Sequence, residues 1–311
     1  MKAAQISEYG DASVITINEI DKPNVGKRQI LVEVHASSIN PFDAKLRAGY
    51  MKERIPLQFP ATLGGDIAGI VSERGDDVTT VVVGDQVYGQ AAIVAGGSGA
   101  FAEYAATKAS QIAKAPKNVD FKQAASLTLV GPSAWQAMIQ HIKLQPDQKI
   151  FIHGGAGGIG IIAIQIAKHL GAHVATTASG GGIETVTKLG ADEVIDYKKH
   201  NFIESLNDYD AVFDTVGGDD FTKALSILKP GGIAVSTAGQ ADQAKANELG
   251  VTAIAQSTKV TTEALNELRL LVEEGIVTPQ VSKVFPLAAV SEAFRAWESG
   301  NVQGKVVIEV R

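Results

Sequence analysis

The stretch HGGAGGIG, His153 to Gly160, lies between the apolar run KIFI and the segment IIAIQIAKHL. Few folds carry a short buried strand through so many glycines directly into an apolar helix. Gly155, Gly157 and Gly160 fit the spacing G-x-G-x-x-G in the strand-to-helix context that this spacing requires. In that pattern Gly155 makes the tight turn and Gly157 lets the backbone approach a pyrophosphate. Gly160 lets the helix pack closely on the strand. Gly158 and Ile159 open the helix, where unpaired N–H groups and the positive dipole end favour phosphate. The stretch therefore predicts a dinucleotide-binding β-α-β unit.

The next strand says which dinucleotide. NAD-binding chains commonly carry Asp or Glu about 20 residues past the loop, where it holds the ribose 2′-hydroxyl. Here HVATTA ends at Ala178 and is followed by Ser179 and three glycines. No carboxylate stands there to repel a 2′-phosphate, and Ser179 with the Gly180 to Gly182 amides can receive one. The reading favours NADP(H), although the SGGG segment itself holds no Arg or Lys. Lys188, Tyr197, Lys198 and Lys199 are the nearest candidates by sequence, with Lys188 reading as a solvated residue.

Elements alternate beyond Lys149. KIFIHG, HVATTA, EVIDY, YDAVFDTVG and IAVSTAG read as strands. GIIAIQIAKHL, IETVTKLGA and FTKALSILKPGG read as helices, the last stopped by Pro and Gly. Such alternation with short connections predicts an α/β fold with a doubly wound parallel sheet. VTAIAQ (251–256) adds a candidate sixth strand, and 261–274 an amphipathic helix. The first 120 residues differ in texture. QILVEVHASSIN, IAGIVSERG and VTTVVVGDQVYG are β-rich runs punctuated by Gly, Pro and Asp, which predicts a small irregular barrel. Residues 121–143 are helical in pattern and interrupted at Gly131-Pro132.

Composition excludes several classes. The chain of 311 residues has no Cys, so disulfides, thiolate nucleophiles and Cys-bound zinc are ruled out together. Its six His show no ligand spacing, and no metal site is expected. A net charge of −6 leaves no basic face for nucleic acid. No apolar run is long enough for a membrane span and the N-terminus has no signal-like region, so a soluble cytoplasmic protein is expected. His153 ends a buried strand and reads as a packing residue.

Motifs in order along nearly the whole chain carry a resemblance: ASSINPFDAKLRAGY, LGGDIAGIV, VGDQVYG, GAFAEYA, AASLTLVGPSAWQAM, HGGAGGIG, LGADEVIDY, DTVGG, LKPGG and GKVVIEV. The chain resembles the zinc-free quinone oxidoreductase (zeta-crystallin-like) branch of the medium-chain dehydrogenase/reductase superfamily. The resemblance implies a GroES-like β-rich catalytic domain from 1–120 and 260–311, and a Rossmann NADP-binding domain at 121–259. It further implies an active-site cleft at their junction and a homodimer, with 251–256 as the candidate dimer edge. Zinc alcohol dehydrogenases of the superfamily place Cys where this chain has Asn40 and His-Glu where it has Gly65-Asp66.

The same resemblance places Asn40, Asp43 and Tyr50 at the nicotinamide end as candidate catalytic residues. Asn40 would hydrogen-bond the acceptor or the carboxamide, and Tyr50 would orient substrate or relay a proton; an Asp at 43 also orders a turn. Thr128 and Val130 match the nicotinamide region, Ser179 and Tyr197 the 2′-phosphate region. Val216, Ala238 and Gly239 lie at carboxyl ends of later strands, where ligands of open sheets bind. Without a Lewis acid, the accessible chemistry is hydride delivery from NADPH to an electrophilic acceptor, a quinone or an α,β-unsaturated carbonyl. Reduction of an enoyl-thioester or alkenal double bond is the enzymatic alternative. A non-catalytic NADPH-binding sensor or structural protein is the alternative of another class.

Overall fold

β-Branched runs in the first third of the sequence become the strands of a mixed sheet. The computed structural model describes residues 1–300 and 302–311. The chain divides into two units: Met1–Leu129 with Val260–Glu273 and Pro279–Arg311, and Val130–Lys259 with Glu274–Thr278.

In the first unit the strands are β1 (Lys2–Ile6), β2 (Ile15–Glu19), β3 (Gln29–Ser38), β4 (Ala61–Thr62), β5 (Asp66–Arg74), β6 (Gln86–Gln90), β7 (Tyr104–Lys108) and β8 (Ile112–Lys114). The far end of the chain supplies β15 (Val281–Pro286) and β16 (Lys305–Glu309). One sheet has the order β2-β1-β4, the other β15-β16-β3-β5-β6-β8 with β7 also on β3. β3 is the hub. β5 runs along one edge from Ile30 to Ser38, while β7 takes Gln29 to Glu33 and β16 takes Ala36 to Ser38 on the other. Alternate residues Ile30, Val32 and Val34 pack with Ile67, Val71 and Val87 in one core. A second core joins Ile6, Ile39 and Phe101 to Phe294, Val306 and Ile308.

The second unit is a parallel sheet of β9 (Lys149–His153), β10 (His173–Ala178), β11 (Glu193–Asp196), β12 (Tyr209–Asp214), β13 (Leu228–Ser236) and β14 (Thr252–Ala255). Its order, β11-β10-β9-β12-β13-β14, reverses direction between β9 and β12. In doubly wound sheets that reversal opens a crevice at the carboxyl ends of the strands. Fully buried Phe151, Val212, Phe221 and Leu225 anchor the core on the sheet. Among the described residues no helix is long and apolar enough to cross a membrane.

Four expectations differ from the structure. VTTVVVGDQVYG does not form one strand, since β6 begins only at Gln86. Val82 N–H bonds Asp85 Oδ2 at 3.0 Å, and Gly84 at φ +92° completes a turn that overrides the β propensity of the valines. The interruption in 121–143 precedes Gly131-Pro132. α1 (Pro41–Arg47) is followed by α2 (Phe121–Ala125), capped by Asp120, and α3 (Val130–Trp135) carries Gly131-Pro132 in its first turn. There the missing proline N–H has no helical partner to lose. FTKALSILKPGG is α-helical to Ala224 and 3-10 helical to Ile227, and ends before Pro230 because Leu228 already pairs with Tyr209 in β13. α2 belongs to the first unit, where the sequence begins the second at 121, and residues 274–278 return to the second.

Candidate functional site

α4 (Gly158–His169) follows the glycine loop with Gly157 as its N-cap. Each glycine has its own constraint. The turn out of β9 is made by Gly154 at φ +86°, not by Gly155. Gly155 is required for packing: a Cβ there would lie 2.0 Å from Thr176 Oγ1 on β10. A Cβ on Gly160 would lie 2.3 Å from Gly154 O, so helix and loop touch backbone to backbone. Gly157 differs, because its added Cβ would meet only Gly154 O at 3.3 Å. Its outer side is open, as a pyrophosphate seat requires. Thr177 Oγ1 accepts the Gly154 N–H at 2.9 Å and pins the loop to β10. The first N–H groups of α4, on Gly158 and Ile159, have no partner inside the helix and are directed out of its end.

A cleft of about 800 Å³ runs over this loop, within the size range of small-ligand sites. Gly154, Ala156 and Gly157 form its floor with Thr177, and the segment from Tyr197 to Phe202 forms one wall. Thr215, Val216, Asp220 and Lys223 form the other. His153 lines it as well, with its Nδ1 3.0 Å from Asp214 Oδ1. Ser236 Oγ donates to Asp214 Oδ2 at 2.5 Å, and the Gly217 and Val216 N–H groups also donate to that carboxylate. Burial acts to raise the Asp214 pKa, but these donors outweigh it and hold the group below the ordinary carboxylate value. Asp214 therefore stays ionised, fixes the His153 ring and shapes the turn after β12.

Of the sequence candidates, Gly157, Tyr197 and Val216 line this cleft, while Gly155, Gly158, Ile159 and Gly160 build the loop and helix start beneath it. Ser179 continues from β10 and stands outside the lining. Ala238 and Gly239 direct their N–H groups to Ser236 Oγ at 3.0 and 3.1 Å, and the Cα side of Gly239 faces open space. Thr128 is fully buried in the first unit with its hydroxyl on Ala125 O, and Val130 begins the second.

The first unit holds the other candidates in a buried polar cluster. Asp43 accepts the Asn40 N–H at 2.8 Å and so caps α1. Asn40 Nδ2 donates to Asp66 Oδ2 at 2.7 Å, and Asn40 Oδ1 accepts from Lys305 Nζ at 2.6 Å. That ammonium also donates to Ile39 O at 2.8 Å and lies 3.3 Å from Asp66 Oδ2. Ser38 Oγ adds a third donor to the same carboxylate oxygen at 2.6 Å. Burial first, then the Asp66 charge, push the Asp43 carboxyl up to about 7. Burial draws Lys305 down against the opposing pull of Asp66 and Asp43. Asn40 is thus largely committed, with one amide hydrogen to spare. Tyr50 is separate from it: it is 83% exposed, and its hydroxyl makes no hydrogen bond among the described residues.

Residues 26–117 match the family model described as alcohol dehydrogenase GroES-like domain, and 189–308 match that described as zinc-binding dehydrogenase. The chain is 36% identical to the NADPH-dependent alkenal/one oxidoreductase, chloroplastic, of Arabidopsis thaliana, covering 99% of this chain and 79% of that protein. The structure of the quinone oxidoreductase from Coxiella burnetii superposes with a TM-score of 0.91 at 33% identity, covering 100% of this chain and 99% of that one. The chain belongs to the quinone oxidoreductase branch of the medium-chain dehydrogenase/reductase superfamily. Another member with this fold is Escherichia coli quinone oxidoreductase complexed with NADPH, at TM-score 0.89 and 27% identity over 100% of both chains.

Where zinc-dependent members of the superfamily place metal ligands, this chain sets a lysine ammonium between Asn40 and Asp66. Among the described residues no group of three or more His, Cys, Asp or Glu is arranged to hold a metal ion. Sequence reasoning missed Lys305, Ser38 and the His153–Asp214–Ser236 chain. The available signals were a lysine directly ahead of the apolar run VVI in KVVIE, and an Asp and a Ser at the same end of neighbouring parallel strands.

Proposed function

We propose that this chain is an NADPH-dependent oxidoreductase that reduces quinones or α,β-unsaturated carbonyls. The supporting observation is the cleft over the glycine loop, which has an open pyrophosphate seat at Gly157 and lysines in its walls. No carboxylate follows β10 to reject a 2′-phosphate. The cofactor supplies a hydride when bound. Gly157 and the α4 N-terminus would hold its pyrophosphate, Tyr197 would flank the adenosine ribose, and Val216 with Gly239 would border it from the ends of β12 and β13. The Arabidopsis relative is named an alkenal/one oxidoreductase and the Coxiella and Escherichia structures quinone oxidoreductases. Both acceptor types are conjugated carbonyl systems that take a hydride without a metal.

In this reading Tyr50 is the candidate for acceptor contact, because its phenol is free and exposed. Asn40 and Asp43 are positioning residues that fix the start of α1. Quinone reduction asks no acid of the chain, since the hydroquinone oxygens take protons from water. The GroES-like first unit, Met1–Leu129 with Val260–Glu273 and Pro279–Arg311, would carry the acceptor side, and the Rossmann second unit, Val130–Lys259 with Glu274–Thr278, the cofactor side. The homodimer would pair through β14. Gln256 N–H bonds Ser236 O, so by alternation Ala255 and Ala253 turn their N–H groups outward from that edge.

An acceptor panel run with NADPH and with NADH tests the reading. Loss of NADPH absorbance with quinones or enones is expected, and the ratio of enoyl-thioester to quinone turnover separates the two reductase chemistries. NADPH binding without turnover on every acceptor would refute the enzyme and favour a sensor.

A further inference from the structure

The end of the second strand of a dinucleotide-binding sheet is where the ribose 2′ position is read. Here that end is Ala178, Ser179 and Gly180, which provides no cation. β11 runs alongside in parallel register with Ala178 opposite Asp196, and the Tyr197 N–H reaches Ala178 O at 3.4 Å. The chain after β11 therefore emerges beside the 2′ position. Its next residues, Lys198 and Lys199, line the cleft.

The lysines near this position are not equivalent. Lys199 Nζ lies 3.3 Å from Asp196 Oδ2. Lys223, on the opposite wall, lies 3.0 Å from Asp220 Oδ1. Lys188 is outside the lining and lies 2.6 Å from Glu184 Oε1. Lys198 is the cleft lysine whose ammonium has no carboxylate partner among the described residues. Asp196, the acidic side chain next to the strand end, is turned back on its own loop, accepting the Lys198 N–H at 3.1 Å while pairing with Lys199. An NAD-type carboxylate contact to the ribose is thereby withdrawn, and one uncompensated positive charge is left at the cleft wall.

We propose that Lys198 is the residue that selects NADPH over NADH, its ammonium taking the ribose 2′-phosphate beside Tyr197. This rests on the NADPH reading above. A phosphate oxygen and an ammonium form a charge-assisted hydrogen bond. A compact charge on a flexible four-carbon stem can reach the phosphate from the β11 loop as readily as from the β10 loop. Because the site is open to solvent, the contact is screened by salt.

The test is equilibrium binding to the cofactor-free full-length chain, read by nicotinamide fluorescence with NADPH and with NADH. Lys198→Gln is expected to weaken NADPH about tenfold and to change NADH less than about twofold, the gain of one charged hydrogen bond being of that order. Lys199→Gln and Lys188→Gln, whose charges are already paired, should change the NADPH/NADH ratio less than about threefold. Raising KCl should narrow the wild-type preference and leave the Lys198→Gln ratio nearly flat. If wild type prefers NADPH and Lys198→Gln keeps that ratio, the Lys198 assignment is wrong while the cofactor reading stands. If wild type prefers NADH or binds neither, both are wrong.

Discussion

Asp43 offers the sharpest test of the buried cluster. Its carboxyl is 4% exposed and lies near the Asp66 carboxylate, and its pKa rises from 3.8 to about 7. Between those values the folded chain holds a proton that the unfolded chain has lost. Stability therefore falls as pH rises through that window and levels off above about 7. The window spans roughly three pH units at about 1.4 kcal/mol each, so Asp43→Asn should be more stable than wild type by about 4 kcal/mol above pH 7. The carboxamide oxygen still accepts the Asn40 N–H, so the cap on α1 survives. Urea unfolding of both chains at half-unit steps from pH 5 to 9 measures the difference. It should grow by about 1.4 kcal/mol per pH unit up to neutrality and then stay flat. A difference independent of pH, or one that shrinks as pH rises, would refute the protonated Asp43.

The glycine loop and the sheet edge supply two further tests. Gly155→Ala and Gly160→Ala place a methyl 2.0 and 2.3 Å from existing atoms, and each should lose about 2 to 4 kcal/mol in urea unfolding. Gly157→Ala should keep stability within about 1 kcal/mol and lose NADPH affinity, which calorimetric titration would register. Sedimentation should give about twice the 32.5 kDa chain mass, and Ala253→Pro should return it to the chain mass without unfolding the sheet. An unchanged dimer in that variant removes β14 as the interface.

Local pattern carried much of the fold. The strand-glycine-helix passage at 149–169 and the alternation that follows were legible because each element declares itself within a dozen residues. Even VTAIAQ held as β14 (Thr252–Ala255). Where turn chemistry competed with apolar content, as at VTTVVVGD, propensity misled. The glycine roles were half legible: spacing marks the motif, but only packing against Thr176 separates the turn at Gly154 from the close contact at Gly155. The Asn40–Asp66–Lys305 cluster was out of reach, because its members lie 26 and 265 residues apart along the chain. No window reading joins them. Likewise, Lys188, Lys198 and Lys199 look alike in sequence, and their carboxylate partners alone tell them apart.

The placement of β16 has a consequence for synthesis. Lys305 and the strand it begins complete both the cluster at Asn40 and the free half of the β3 edge. The parallel sheet, by contrast, is complete once Ala255 has been made. A growing chain can therefore settle its middle first, while β3 waits with an unpaired edge and Asp66 waits without its ammonium. Truncation of the last seven residues would leave the inserted unit intact and the outer one unfinished, so the length of time before the final strand emerges is when this protein is most exposed to aggregation.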